Sequence, residues 1–193
     1  MEFKKEILQK AADEGSAKVA EAFSKFSNSS VEVSVSKVET ISLRKSIDRI
    51  KPPADHAVVV YAQLLLGASG ASLLTLSRED ALVLVDLLNQ QPVGTTGILK
   101  DIDRSAIKET LNILSNYYVT ALAESSMIKL VLGVPNMITS ARLGSILDTL
   151  MDKLTNETDS AVIFETTLVI TNHKVKANLY LIFNEKLFDL IKE

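Results

Sequence analysis

A chain of 193 residues, 47% of them apolar, is long enough to bury a sizeable core, which sets aside disordered and fibrous classes. A formal net charge of −3 removes the basic field that nonspecific nucleic-acid binding requires. The absence of cysteine excludes disulfides and thiolate metal sites and fits a reducing, cytoplasmic location.

The charged N-terminus, MEFKKEILQKAADEG, has no apolar h-region and so does not read as a secretory signal. Apolar residues three and four apart predict a first helix from about Glu2 to Phe26, with Gly15 as its soft spot. After SNSS, the alternation VEVSVS predicts a half-buried strand over 31–36, and a second short strand follows near 38–43. The basic, proline-paired segment RKSIDRIKPPADH reads as a loop or a short helical turn. Its cations Arg44, Lys45, Arg49 and Lys51 form either a solvated loop or a steering patch for an acidic partner.

The most apolar run, AVVVYAQLLLGASGASLLTL, is broken by Gln63, glycines and serines, well short of the ~20 apolar residues that cross a bilayer. It predicts two buried strands joined by the turn GASG. Ser77 is placed to cap a following helix, ALVLVDLLNQQ, which ends at the loop PVGTTG. A long helix is expected from about Asp103 to Ser125, with Asp101 or Asp103 as its cap. Then come a strand, IKLVLGV, ending at Pro135; an amphipathic helix over 138–154; two long strands joined by TNHK with Asn172 as the turn residue; and a C-terminal helix, EKLFDLIKE.

An offset of 99 lays Leu8, Val19, Phe23, Val31, Val33 and Val35 on Ile107, Tyr118, Leu122, Leu130, Leu132 and Val134. A long helix followed by a strand therefore occurs twice. The expected fold is α+β: a mixed β-sheet carrying long amphipathic helices, with a pseudo-twofold internal repeat. It is expected as one domain over 1–193, its half-repeats running roughly over 1–92 and 93–193.

On the second long helix, at about 100° per residue, Ser105, Glu109, Asn112 and Asn116 fall within roughly 60° of one another. Ile107, Leu111, Leu114, Tyr118 and Leu122 make the face that packs on the sheet. A stripe of this kind is ordinarily a solvated face. The two asparagines are the departure, because asparagine is a weak helix former and a helix selected for stability alone would carry Glu, Lys or Ala there.

The longer pattern is Ser105, Glu109, Asn112 and, after 22 intervening residues, Pro135. It resembles the signature of the CheC, CheX and FliY family of chemotaxis phosphatases. That family has Asp or Ser at the first place, and the Glu, Asn and Pro places match here. The likeness extends through LKDIDRSAIKETLNI, YYVTALAE and IKLVLGVP over most of the chain, and is similar to CheC in particular. Two-site members carry the motif once in each half. Here the offset puts Glu6, Lys10, Asp13 and Ser36 at the corresponding first-half places, where a cation replaces the carboxylate and an anion the amide. One competent site is therefore expected.

The resemblance implies an enzyme that dephosphorylates the aspartyl phosphate of a CheY-type response regulator. Asn112 would hold the attacking water and Glu109 would dock on the regulator's lysine beside the phosphate. No cofactor is expected on this chain, the divalent metal ion being supplied by the regulator. Ser105 either supports Glu109 or begins the helix surface; Asn116 either touches the partner or is solvated; Pro135 ends a strand or shapes a turn. His56 and His173 read as strand-edge or turn residues. No phosphate-binding glycine loop or Ser-His-Asp set is present. The principal rival is an adaptor with little or no catalysis that binds CheD or a response regulator. A flagellar-switch component is expected to carry further binding segments than this chain accommodates.

Overall fold

In a computed structural model of the chain, the described residues are 2–35, 38–42, 45, 49–50, 57–139, 149 and 160–191. Helix α1 (Glu2–Ser27) leads to the short strands β1 (Val31–Val35) and β2 (Glu39–Ser42). The hairpin β3 (Val58–Leu66) and β4 (Gly70–Leu76) is followed by α2 (Arg78–Leu88). The 26-residue α3 (Asp101–Ser126) precedes β5 (Val131–Leu132) and β6 (Asn136–Thr139). A second hairpin, β7 (Ser160–Ile170) and β8 (Val175–Asn184), leads to α4 (Leu187–Leu190).

The eight strands among the described residues make one sheet in the order β1-β7-β8-β4-β3-β5, with β2 also on β7 and β6 also on β3. The α+β class is as expected from the sequence. The sheet is not mixed, however: every described pairing is antiparallel, because the long strands are joined in tight hairpins and not by crossover helices. Among the described residues each half of the chain supplies a long helix, two short strands and a hairpin, and the short strands of one half pair with the hairpin of the other. Val134, placed opposite Val35 by the offset of 99, is 83% exposed.

Strand β4 is buried along six consecutive residues because the sheet is apolar on both faces. Leu74, Leu76, Phe164, Leu179, Leu181 and Phe183 lie in the cluster shared with the helices, Phe164 and Phe183 meeting edge to face at 5.7 Å. Val59, Leu73, Ile163 and Ile182 form a second cluster with Ile50. The short strands β1 and β2, both on β7, keep the alternating pattern of a strand covered on one side.

Three expectations are corrected at element ends. Helix α3 starts two residues early: Lys100 is its N-cap, and the Asp103 carboxylate accepts the Lys100 N–H at 2.8 Å, so Asp103 works from the first turn and not as the cap. Ile138, expected to open a helix, pairs in β6 with Val59, while 140–148 and 150–154 lie outside the described residues. The C-terminal helix is a four-residue turn. Ser77 caps α2 as expected, accepting the Asp80 N–H at 2.9 Å. GASG is a hairpin turn whose Gly67 (φ +97°) passes so close to the Lys129 carbonyl that a Cβ would stand 2.2 Å from it. In the second hairpin Asn172 lies in the 3-10 turn Thr171–His173, and Lys174 after it is left-handed.

Candidate functional site

The site is built on α3, whose inward face leaves it little freedom to roll. Ile107, Leu111, Leu114 and Leu122 are fully or almost fully buried, at roughly 2 kcal/mol apiece for the area removed from water. Two buried hydrogen bonds add register to this apolar hold. The Ser115 and Ser72 hydroxyls meet at 2.6 Å, tying α3 to β4, and the Tyr118 hydroxyl meets Thr166 at 2.7 Å, tying it to β7. Burial pushes the Tyr118 phenol up to about 12, against the Thr166 hydrogen bond, so it stays neutral. Helix α1 runs antiparallel across α3: Gly15 lies on Tyr118, and the α1 C-terminal Phe23 and Phe26 reach the N-terminal half of α3.

The opposite face carries the polar stripe to the surface. Asn112 Nδ2 donates to Glu109 Oε2 at 3.4 Å. Asn116 Nδ2 donates to Asn112 Oδ1 at 3.0 Å and to the Asn112 carbonyl at 2.8 Å. Glu109, Asn112 and Asn116 are thus brought into one connected ridge, with Glu109 and Asn116 exposed and Asn112 half-buried. Ser105 stands apart from that chain; its Oγ donates to the Asp101 carbonyl at 2.9 Å within its own helix turn. Pro135 sits in the break between β5 and β6, both of which pair with β3, and among the described residues no hydrogen bond joins it to the ridge.

The corresponding first-half positions pair within α1. Lys10 lies 3.8 Å from Glu14, and Asp13 accepts from Gln9 Nε2 at 3.0 Å. Glu6 lines a polar recess with Lys5, Gln9 and Glu39, and Ser36 lies outside the described residues. Of the basic segment, Arg49 is paired with Glu39 at 3.0 Å and Lys45 is exposed, while Arg44, Lys51 and His56 lie outside the described residues. His173 is an exposed residue of a 3-10 turn.

One feature was missed from the sequence. Beside the ridge, α1, α2 and α3 enclose an apolar groove of about 220 Å³, walled by Phe23, Phe26, Leu88, Ala106 and Ile113, with Glu109 on its rim. Ile102, 73% exposed, continues the apolar border towards the start of α3. The sequence signal was Ala106 and Ile113 lying immediately beside the stripe on the helical wheel, a step from the buried face. The loop before α3 is held by the buried Asp86 carboxylate, which accepts the N–H groups of Gly94, Thr95 and Thr96 at 2.7, 3.0 and 2.9 Å. Among the described residues no group of three His, Asp or Glu side chains is placed to hold a metal ion, and no helix is long and apolar enough to cross a membrane.

No protein-family model matches the chain. Its fold is nevertheless that of several solved structures. FliY from Thermotoga maritima superposes with a TM-score of 0.69 at 17% identity, over 98% of this chain and 93% of that one. A chain of an H. pylori FliG–FliM complex gives 0.64 at 11% identity, over 98% and 99%. CheX from a Borrelia burgdorferi CheX–CheY–BeF3–Mg2+ complex gives 0.57 at 10%, over 91% and 96%. The chain has the fold of the FliY and CheX proteins, and these likenesses do not set CheC apart from the others.

Proposed function

We propose that the chain is a chemotaxis signalling phosphatase that hydrolyses the aspartyl phosphate of a CheY-type response regulator, through one site on α3. The observation that carries this reading is the ridge itself. Glu109 and Asn112 stand side by side on an exposed face of a rigidly held helix, at the places the family motif assigns to them. The likeness to CheX in a complex with CheY supports a regulator of that type as the partner.

The chemistry suits an amide. Water attacks phosphorus, the P–O bond to the aspartate breaks, and the regulator's carboxylate and inorganic phosphate separate, the water's proton leaving on the phosphate. Positioning and charge stabilisation supply most of the catalysis in such a step. The Asn112 oxygen accepts a hydrogen bond from the water without adding a charge that would repel the phosphoryl group. Glu109, as a carboxylate, would be repelled by the phosphoryl group itself and so takes up the partner's neighbouring cation. The divalent metal ion and the phosphorylated aspartate belong to the regulator.

The test is the decay of a phosphorylated CheY-type regulator with the wild-type chain and with Asn112→Ala. Wild type accelerates the decay, and the variant loses on the order of 10²-fold with its fold intact. Unchanged decay with wild type would overturn the reading. A second reading then takes its place: a noncatalytic binding module for a response regulator, a CheD-type partner or a switch protein. It is favoured by the likeness to a chain of the FliG–FliM complex.

A further inference from the structure

Asn116 is the member of the ridge whose chemistry the motif leaves unassigned. An asparagine costs about 0.5 kcal/mol against alanine at an exposed helix position. Its amide nitrogen is committed to Asn112, both to the side-chain oxygen at 3.0 Å and to the carbonyl at 2.8 Å. Both of those partners are acceptors, so the nitrogen of Asn116 must be the atom that faces them.

Asn112 is consequently gripped from two sides with opposite demands. The ionised Glu109 carboxylate only accepts, so it takes the Asn112 NH2; the Asn116 NH2 only donates, so it takes the Asn112 oxygen. Turning the Asn112 amide over would set oxygen against carboxylate and NH2 against NH2. The bond to Glu109 is the weaker, at 3.4 Å against 3.0 Å, and Glu109 is also the residue that a docking cation engages. Asn116 is then the hold that persists when the partner arrives.

We propose that Asn116 is a positioning residue, fixing Asn112 in the one orientation in which the second lone pair of Oδ1 faces the attacking water. The inference rests on the reading of Asn112 as the water-orienting group. It separates Asn116 from a docking contact, because a positioning residue changes turnover and leaves the affinity for the regulator alone.

The experiment is steady-state decay of the phosphorylated regulator with wild type, Asn112→Ala, Asn116→Ala, Asn116→Gln and Asn116→Asp. Side-chain amide NMR of Asn112 in the free protein accompanies it. Asn116→Ala, which favours the helix, is expected to lower kcat roughly 10-fold with KM within about twofold. Asn116→Gln keeps an amide donor on a longer arm and recovers most of the loss. Asn116→Asp reverses the polarity at the same shape and falls below the alanine variant. The Asn112 amide becomes more mobile in Asn116→Ala. A wild-type kcat in Asn116→Ala beside an inactive Asn112→Ala overturns the positioning role and leaves the phosphatase reading standing. A change confined to KM also overturns it, in favour of docking. Failure of wild type to accelerate decay overturns both.

Discussion

Gly15 of α1 lies against Tyr118 of α3 so closely that a Cβ on the glycine would stand 2.7 Å from Tyr118 Cδ1 and 3.1 Å from its Cα. What the sequence presents as a soft spot in a helix is therefore a point of close approach between the two long helices. Gly15→Ala gains about 1 kcal/mol of helix propensity. Overpacking at a fully buried tyrosine costs about 1–3 kcal/mol, and the clash is with Cδ1 of a ring that burial and its hydrogen bond to Thr166 keep from swinging aside. The steric cost wins. The variant is expected to unfold at a temperature several degrees lower, measured by circular dichroism, and an unchanged or raised midpoint would refute the close-packing account.

Asp86 gives a stability that depends on pH. Burial alone would raise its pKa, but hydrogen bonds from Thr96, Gly94 and Thr95 outweigh it and hold the carboxyl below its ordinary value. The unfolded chain binds that proton at about 3.9. A depressed folded value means the contribution is complete above the unfolded pKa and is lost as pH falls through the folded one. Asp86→Asn is expected to cost about 2 kcal/mol at pH 7 and to reduce the loss of stability between pH 5 and pH 2. Denaturant titrations at pH 7, 4 and 3 check this. Parallel curves for variant and wild type would show that the three N–H groups are not what Asp86 stabilises.

The elements that were legible in the sequence are those whose periodicity is set by a single face or by complete burial. Helix α1 has its apolar positions at Leu8, Ala12, Val19 and Phe23, and β4 is buried from Ala71 to Leu76. The ridge was legible for the same reason, since spacings of three and four on a helix place Glu109, Asn112 and Asn116 together whatever surrounds them. The groove was not, because Phe26, Leu88 and Ile113 come from three elements far apart in sequence and meet only once α1 has packed on α3. The start of α3 was misplaced because lysine has no capping oxygen; the backbone N–H at Lys100 is satisfied instead by Asp103 reaching back. The antiparallel sheet follows from hairpin connections that alternation alone does not specify.

The first half supplies a negative prediction. Lys10 and Asp13 are taken up within α1 by Glu14 and Gln9, and both are exposed. If α3 carries the one competent site, Lys10→Ala with Asp13→Ala leaves regulator dephosphorylation within about twofold of wild type. Stability should move by less than about 0.5 kcal/mol, as for exposed helical pairs. A loss of turnover approaching that of Asn112→Ala would assign the first half a part in catalysis.

Glu109 separates docking from chemistry. Glu109→Gln keeps an oxygen to accept the Asn112 NH2, so the ridge geometry persists while the charge that meets the partner's cation is removed. Affinity for the phosphorylated regulator is expected to fall about tenfold, roughly 1.4 kcal/mol, with kcat largely kept. Because the lost term is Coulombic, the wild-type advantage should shrink between 50 mM and 500 mM salt, as screening weakens an exposed pair. Binding titrations at the two salt concentrations, with kcat determined alongside, distinguish the outcomes. A deficit that ignores salt, or one that falls on kcat with binding intact, would remove Glu109 from docking and place it beside Asn112 in the chemical step.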